Sequence, residues 1–484
     1  MKRVVDAWSK LNWGKRAYAI FVLCAMTTTA VPGQTLTMLH SFDGTDGEDA
    51  STLVQGSDGN LYGTTYKGGA NGYGTIFKIT RSGTLTTLYN FCSQSGCTDG
   101  KNPNAALVQA PNGDFYGTAS AGGANGHGTI FKITPSGTLT TTHSFDLTDG
   151  GSPYSALTRA TNGDFYGTTW AGGASGGGTV FKVTPGGTLT TVYSLCGDFC
   201  PGGGNPNAGL VQTPNGDFYG TTYGGGDIIC YMGCGTIFSI TPSGTLTTLY
   251  SFCSADINCP DGENPVAGLV EASNGDFYGA SYWGGSNQYG TLFEMTPGGS
   301  FTTLHTFCSQ GCSDGYHPSG VIQATDGNLY GTTQFAGTTN GGAIFKMTTS
   351  GALTTLYGFC AQSGCPDGEN PFVALVQDTD GNFYGTTSAG GANGYGTVFS
   401  LSVGLRPFVK TLPHAGKVGA SIILLGTNLT GATSVSFSGA AAAFTVVSAT
   451  EITATVPAGA TTGRVHVTTP AGTLLSDGPF LVLP

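Results

Sequence analysis

The residues able to do chemistry fall into four groups: cysteines, carboxylates, histidines, and aromatic rings set beside glycine. Apart from Cys24, twelve of the 13 cysteines form six local couples. These are Cys92 with Cys97, Cys196 with Cys200, Cys230 with Cys234, Cys253 with Cys259, Cys308 with Cys312, and Cys360 with Cys365. None of the twelve is left over, which favours disulfides. Each short loop closed in this way contributes about 2 kcal/mol by restricting the unfolded chain. Zinc is the alternative, since Cys-x₃-Cys can chelate, but the couples lack His partners at ligand spacing. Disulfides would place the chain in an oxidising compartment.

Among the carboxylates, Asp46, Asp99, Asp149, Asp261, Asp314 and Asp367 each precede a glycine. They offer oxygen ligands to calcium in principle, but the favoured reading is a turn former whose carboxylate caps backbone N–H groups. Glu271 and Glu294 stand where the other copies of the surrounding segment mostly carry Gln, Lys or Ser, so they are the first carboxylates to test for catalysis. His40, His143 and His305 occupy a position held elsewhere by Tyr89, Tyr193, Tyr250 and Tyr357, and read as packing variants. No Ser-His-Asp or HExxH pattern stands out, and a paired-carboxylate site cannot be read from sequence distance. The expectation is therefore no catalytic residue, no metal and no cofactor, with calcium as the weak exception.

Aromatic residues beside glycine are the remaining candidates for a binding surface. Tyr66, Trp170, Tyr223 and Tyr282 follow equivalent expected strands, with Trp283 and Phe335 next to that position. Tyr73, Tyr231, Tyr289 and Tyr395 lie in adjoining loops, and His127 takes the same place in another copy. Flat rings with few charges nearby suit stacking on sugars, with Asn and Asp taking the hydroxyls. Packing of the same rings between structural units is the competing explanation.

Positioning these groups is the task of a repeat. A constant Tyr-Gly recurs at Tyr62, Tyr116, Tyr166, Tyr219, Tyr278, Tyr330 and Tyr384, in steps of 54, 50, 53, 59, 52 and 54 residues. Within one unit, four runs read as strands: 105–109, 115–118, 129–134 and 139–145. Asn-Gly and Asp-Gly between the first two favour type I′ hairpins. Four strands in a period near 50 residues predict a β-propeller blade.

The seventh copy stops after Thr397 to Leu401, and the segment it lacks stands alone at Leu36 to Phe42. This permutation predicts a closed seven-bladed propeller in which the first strand completes the last blade and leaves no open edge. Meander parity then puts the uniform NGD and PSG turns on one face. The Gly-Gly loops, the cysteine loops and nearly all length variation fall on the other, where function is expected.

Residues 1–30 differ from the rest. Basic Lys2, Arg3, Lys10, Lys15 and Arg16 precede the apolar run Ala17 to Met26 and then small residues, a secretory signal-peptide pattern. The run is too short to span a bilayer, so no transmembrane segment is expected in the mature chain. Setting aside the leader's five basic and one acidic residues leaves 12 basic and 27 acidic residues, a charge of −15. Nucleic acid is an unsuitable partner for such a surface. With 9% charged residues and 82 glycines, the composition also excludes an acidic disordered chain and a helical one.

The domains expected are a signal peptide at 1–30, the repeat array at 31–403, and a β-sandwich of the immunoglobulin type at 404–484, where short alternating segments are separated by Gly and Pro. In that last part, Gly426-Thr-Asn-Leu429, Val435 to Phe437, and the run VPAGATTGRVHVTTPAG from Val456 resemble the IPT/TIG immunoglobulin-like domain. That resemblance implies a spacer or adhesion module without catalytic residues. The repeat itself, DGNxYGTTxxGGxxxxGTxFKxTxxGxLTTLYSF as from Asp58 through Phe91, resembles the GloVer tandem repeat over residues 36–401. This resemblance implies an exported bacterial protein, secreted or on the cell surface. The function expected from all of this is binding or adhesion to carbohydrate or cell-wall material. The alternative is a secreted polysaccharide-active hydrolase or lyase.

Overall fold

A computed structural model describes residues 33–197, 200–226, 233–254, 256–309 and 311–484. The repeats fold as seven antiparallel sheets, each with four strand positions in meander order. In the second sheet these are Val108–Gln109, Phe115–Ala119, Thr129–Ile133 and Leu139–Ser144. The innermost strand is shorter than its predicted run because Ala105 turns to the first sheet, where its carbonyl accepts from Thr64 Oγ1 at 3.1 Å. In the first sheet this position is split into Glu48–Ala50 and Val54–Gln55, and in the sixth it is the single strand Tyr316–Gln323.

The seventh sheet joins the two ends of the repeat array. Thr35–Ser41 pairs antiparallel with Thr397–Ser402, from Thr35 opposite Ser402 to Ser41 opposite Thr397. The expected exchange of the outer strand is therefore present. The turns depart from expectation. In Ala110 to Gly113 the Gly113 N–H donates to Ala110 O at 2.9 Å, and only Gly113 has positive φ, at 89°. This is a type I turn followed by a left-handed glycine, with Pro111 holding a negative φ at the position where type I′ would need a positive one.

Close packing explains the constant Tyr-Gly pair. A Cβ on Gly117 would lie 2.6 Å from the Phe131 ring and 2.8 Å from Leu107, and the other six glycines of this pair face a phenylalanine in the same way. The preceding tyrosine crosses to the next sheet. Tyr62 stacks on Phe115 at 4.2 Å, Tyr116 on Phe165 at 4.3 Å, and Tyr166 on Phe218 at 4.1 Å. Each pair of neighbouring sheets shares an apolar cluster, and one such cluster combines Leu53, Leu61 and Phe77 of the first sheet with Tyr384 and Val398 of the seventh. Between the same two sheets, Thr386 Oγ1 donates to Ala50 O at 2.9 Å and Arg81 Nε to the buried Asp378 Oδ2 at 2.6 Å.

A glutamine at the end of the innermost strand links sheets on the tight-turn face. Gln109 Oε1 accepts from Ser57 N at 2.9 Å, Gln212 from Thr161 N at 2.9 Å, Gln323 from Ser273 N at 2.8 Å, and Gln377 from Thr325 N at 3.0 Å. At two junctions the donor position is Pro111 or Pro214, which has no N–H. There the following sheet carries Arg159 or Glu271 instead of glutamine.

Five of the six expected disulfides are formed: Cys92–Cys97, Cys196–Cys200, Cys253–Cys259, Cys308–Cys312 and Cys360–Cys365. Cys234 is also disulfide-bonded, while Cys230 and Tyr231 lie outside the described residues, as does the signal-peptide pattern at 1–30. The disulfides are consistent with an oxidising compartment. Among the described residues, no helix is long and apolar enough to cross a membrane.

Beyond Ser402, two four-stranded antiparallel sheets enclose a core that includes Ile422, Leu424, Val435, Phe437, Val467 and Phe480. This C-terminal unit sits on the tight-turn face of the array. Thr450 Oγ1 donates to Ser57 O at 3.1 Å, Phe408 N to Thr379 O at 3.1 Å, and Thr427 meets Thr379 through their hydroxyls.

Candidate functional site

The six aromatic residues singled out in the sequence separate into two groups and one outlier. Trp170 and Tyr223 form the first group, with ring centroids 5.4 Å apart and planes tilted by 51°. Tyr154, which sequence reasoning missed, meets Trp170 edge-on at 6.1 Å. With Asn104 and Asn207 these rings line a cavity of about 460 Å³ on the variable-loop face. The backbone of both platform residues is fixed: Asn205 Nδ2 donates to Trp170 O at 3.1 Å, and Asn264 Nδ2 to Tyr223 O at 2.8 Å. Burial raises the pKa of Tyr223 and of Tyr154, further from neutral pH, where a phenol is already a hydrogen-bond donor.

Tyr282, Trp283 and Phe335 form the second group, around His317. The imidazole lies 4.1 Å from Tyr282, 4.1 Å from Trp283 and 5.7 Å from Phe335, with Tyr316 at 4.8 Å. Other sheets place Asn102, Asn205, Asn264 or Asn370 here. His317 is buried and neither ring nitrogen has a hydrogen-bond partner among the described residues. Desolvation lowers its pKa to about 4. Tyr282 is further tied down by its hydroxyl bond to Gln334 at 2.6 Å, which makes this group mainly an inter-sheet contact. Tyr66, the outlier, is half-buried beneath Lys67, whose Nζ lies 5.9 Å from the ring centroid.

The repeated aspartates close their own loops. Asp99 accepts from Ser93 N at 2.9 Å and Tyr89 OH at 2.8 Å, and Asp261 from Cys253 N at 3.0 Å and Tyr250 OH at 2.8 Å. The histidines read as packing variants take over this hydrogen bond. His40 meets Asp46 at 2.6 Å, His143 meets Asp149 at 2.7 Å, and His305 meets Asp314 at 2.9 Å. Two groups of potential metal ligands also occur, Cys234, Cys253, Cys259 and Glu263, and Cys360, Cys365 and Glu369. Their sulfurs are in disulfides, which supply no thiolate.

Neither glutamate proposed for catalysis lies near the aromatic cavity. Glu294 accepts from Tyr278 OH at 2.6 Å, in a place where Lys346 of another sheet bonds Asp326 at 3.1 Å. Glu271 lies on the opposite face, in a cleft of about 440 Å³ shared with His414 and Asp477 of the C-terminal unit. Burial raises its pKa.

The signal that would have found Tyr154, Asn104 and Asn207 is variation inside an otherwise constant repeat. They follow the proline that begins the inner segment in six of the sheets, where Val266, Ser319 and Phe372 stand in three others. A comparison with known families places the whole array. The Gloeobacter/Verrucomicrobia repeat matches residues 25–232 and again 229–446. The chain belongs to this repeat family. The Gloeobacter/Verrucomicrobia match extends beyond the expected array end at residue 401, into the C-terminal unit. No curated protein matches the chain.

Among solved structures, this Gloeobacter/Verrucomicrobia repeat protein is similar to the extracellular domain of a putative hybrid two-component system from B. thetaiotaomicron. The TM-score is 0.52 at 10% identity, over 82% of this chain and 46% of that one. It thus spans about half the length of that relative. A fungal alcohol oxidase of the AA5 family, in complex with copper, matches with a TM-score of 0.51 at 12% identity, over 94% of this chain and all of the other. At these identities the likeness concerns the fold, an all-β array resembling propellers.

Proposed function

We propose that this chain is an exported binding protein that holds uncharged carbohydrate on the variable-loop face of a closed seven-bladed propeller. Closure is supported by the shared apolar cluster and hydrogen bonds between the seventh and first sheets, and by a central cavity lined from all seven sheets. Export through a signal peptide at residues 1–30 is supported by the disulfides. The two-sheet unit at 404–484 serves as an IPT/TIG-type spacer or adhesion module, docked where the turns are uniform.

The observation that carries the binding reading is the Trp170–Tyr223–Tyr154 cavity with its two asparagine amides. Aromatic faces bury the apolar face of a sugar, and uncharged amides and phenols pair with its hydroxyls. A glycan array probed with the full chain tests this. Trp170→Ala and Tyr223→Ala should each weaken binding about tenfold or more while leaving the fold intact. Retention of full affinity in both variants removes the site from the reading.

A polysaccharide-active enzyme remains the second reading because Glu271, His414 and Asp477 line one interdomain cleft. It predicts products released from a polysaccharide and their loss in Glu271→Gln. Binding without turnover discards it.

A further inference from the structure

The aromatic cavity does not stop at its own floor. Asn104, Tyr154 and Asn207 line both this cavity and a central one of about 360 Å³, so the two spaces adjoin. The wall of the central space takes one small residue from each sheet: Thr52, Ala106, Ala156, Gly209, Gly268, Gly320 and Ala374. Each directly precedes the Leu or Val that enters the sheet core, and each lines the central cavity itself. Neither lining contains a charged side chain. At the other end Val270 is shared with the cleft beneath the C-terminal unit.

A chain lying across the face would need a groove open at both ends. Here the aromatic platform instead adjoins an uncharged cavity lined from all seven sheets. We propose that the central channel receives one end of a linear neutral glycan, whose adjoining units stack on Trp170 and Tyr223. The proposal rests on the carbohydrate reading and adds to it a direction of binding and a dependence on a free chain end. It also makes the ligand single: the seven sheets line a shared central cavity, so one glycan chain is held per protein.

The test uses linear malto-, cello-, laminari- and chito-oligosaccharides with the full chain, in calorimetry. For the tightest binder, a bulky cap at one terminus should abolish binding while the same cap at the other terminus is tolerated, at a stoichiometry of one. Ala106→Leu and Ala156→Leu, which narrow the bore, should weaken binding about tenfold, with thermal melts confirming that each variant folds. The capped sugars keep the test decisive if either variant fails to fold. Equal binding of both capped forms would overturn end-on binding and leave the carbohydrate reading standing. If none of the oligosaccharides binds the unmodified chain, both the channel proposal and the carbohydrate reading fall.

Discussion

The two faces of the array come from the same seven repeats and yet solve opposite problems. On the tight-turn face, the Gln109, Gln212, Gln323 and Gln377 side chains tie four of the turns to the sheet that follows, and the C-terminal unit packs against the same face. On the variable-loop face, the loops differ between sheets and enclose cavities lined by Tyr154, Trp170 and Tyr223. A repeat that pins one edge of every strand pair leaves the other edge free to vary without loss of register. Binding groups can therefore accumulate on one side of a scaffold whose stability is supplied from the other.

The comparison breaks most completely if the array is opened. Removing residues 33–42 would leave Thr397–Ser402 as an unpaired outer edge, and the expected result is aggregation seen by size-exclusion chromatography. A monomeric, fully folded deletion variant would show that the outer strand is dispensable. Next in size is the ion pair at the same seam. Asp378 is fully buried against Arg81, so Arg81→Ala should cost about 3–5 kcal/mol in urea unfolding by leaving a buried charge alone. A loss below about 1 kcal/mol would mean the pair behaves like an exposed one.

On the variable-loop side, His317 supplies a pH test. Its folded pKa is lowered to about 4, below the value near 6.5 of an unfolded imidazole. The unfolded chain therefore takes up a proton that the folded one refuses. The stability that His317 contributes is present above pH 6.5 and is expected to fall by about 3 kcal/mol as the pH drops toward 4. His317→Asn, which installs the residue used by other sheets, should flatten that slope in pH-dependent unfolding; an unchanged slope assigns the acid sensitivity elsewhere.

The smallest effects sharpen the contrast between turns. Gln109→Ala leaves the Ser57 N–H unpaired and should cost about 1–3 kcal/mol. Glu271→Gln should change stability by less than about 0.5 kcal/mol, because Pro214 offers no N–H to pair with. Adding Pro214→Ser to that variant should raise stability by about 1 kcal/mol through a newly formed bond. Equal losses for Gln109→Ala and Glu271→Gln in thermal melts would refute this link between the proline and the glutamate.

The sequence by itself determined seven repeats of four strand positions, the placement of the missing outer strand at residues 36–42, and the pairing of five cysteine couples. All of these depend on contacts that are near in the chain or repeat at a fixed period, and a period is visible in one dimension. The turn type differs from the expectation because Asn-Gly alone suggests type I′, whereas in Ala110 to Gly113 only the glycine takes a positive φ and the two central residues do not. Only the tertiary structure decided that Trp170 and Tyr223 share a cavity with Tyr154, Asn104 and Asn207, while Tyr282, Trp283 and Phe335 pack around His317. It also gave the unusual Glu271 a structural reason in Pro214, the partner of the preceding sheet. These relations join loops of different sheets, and their distances are set by how the sheets pack side by side, which no single repeat encodes.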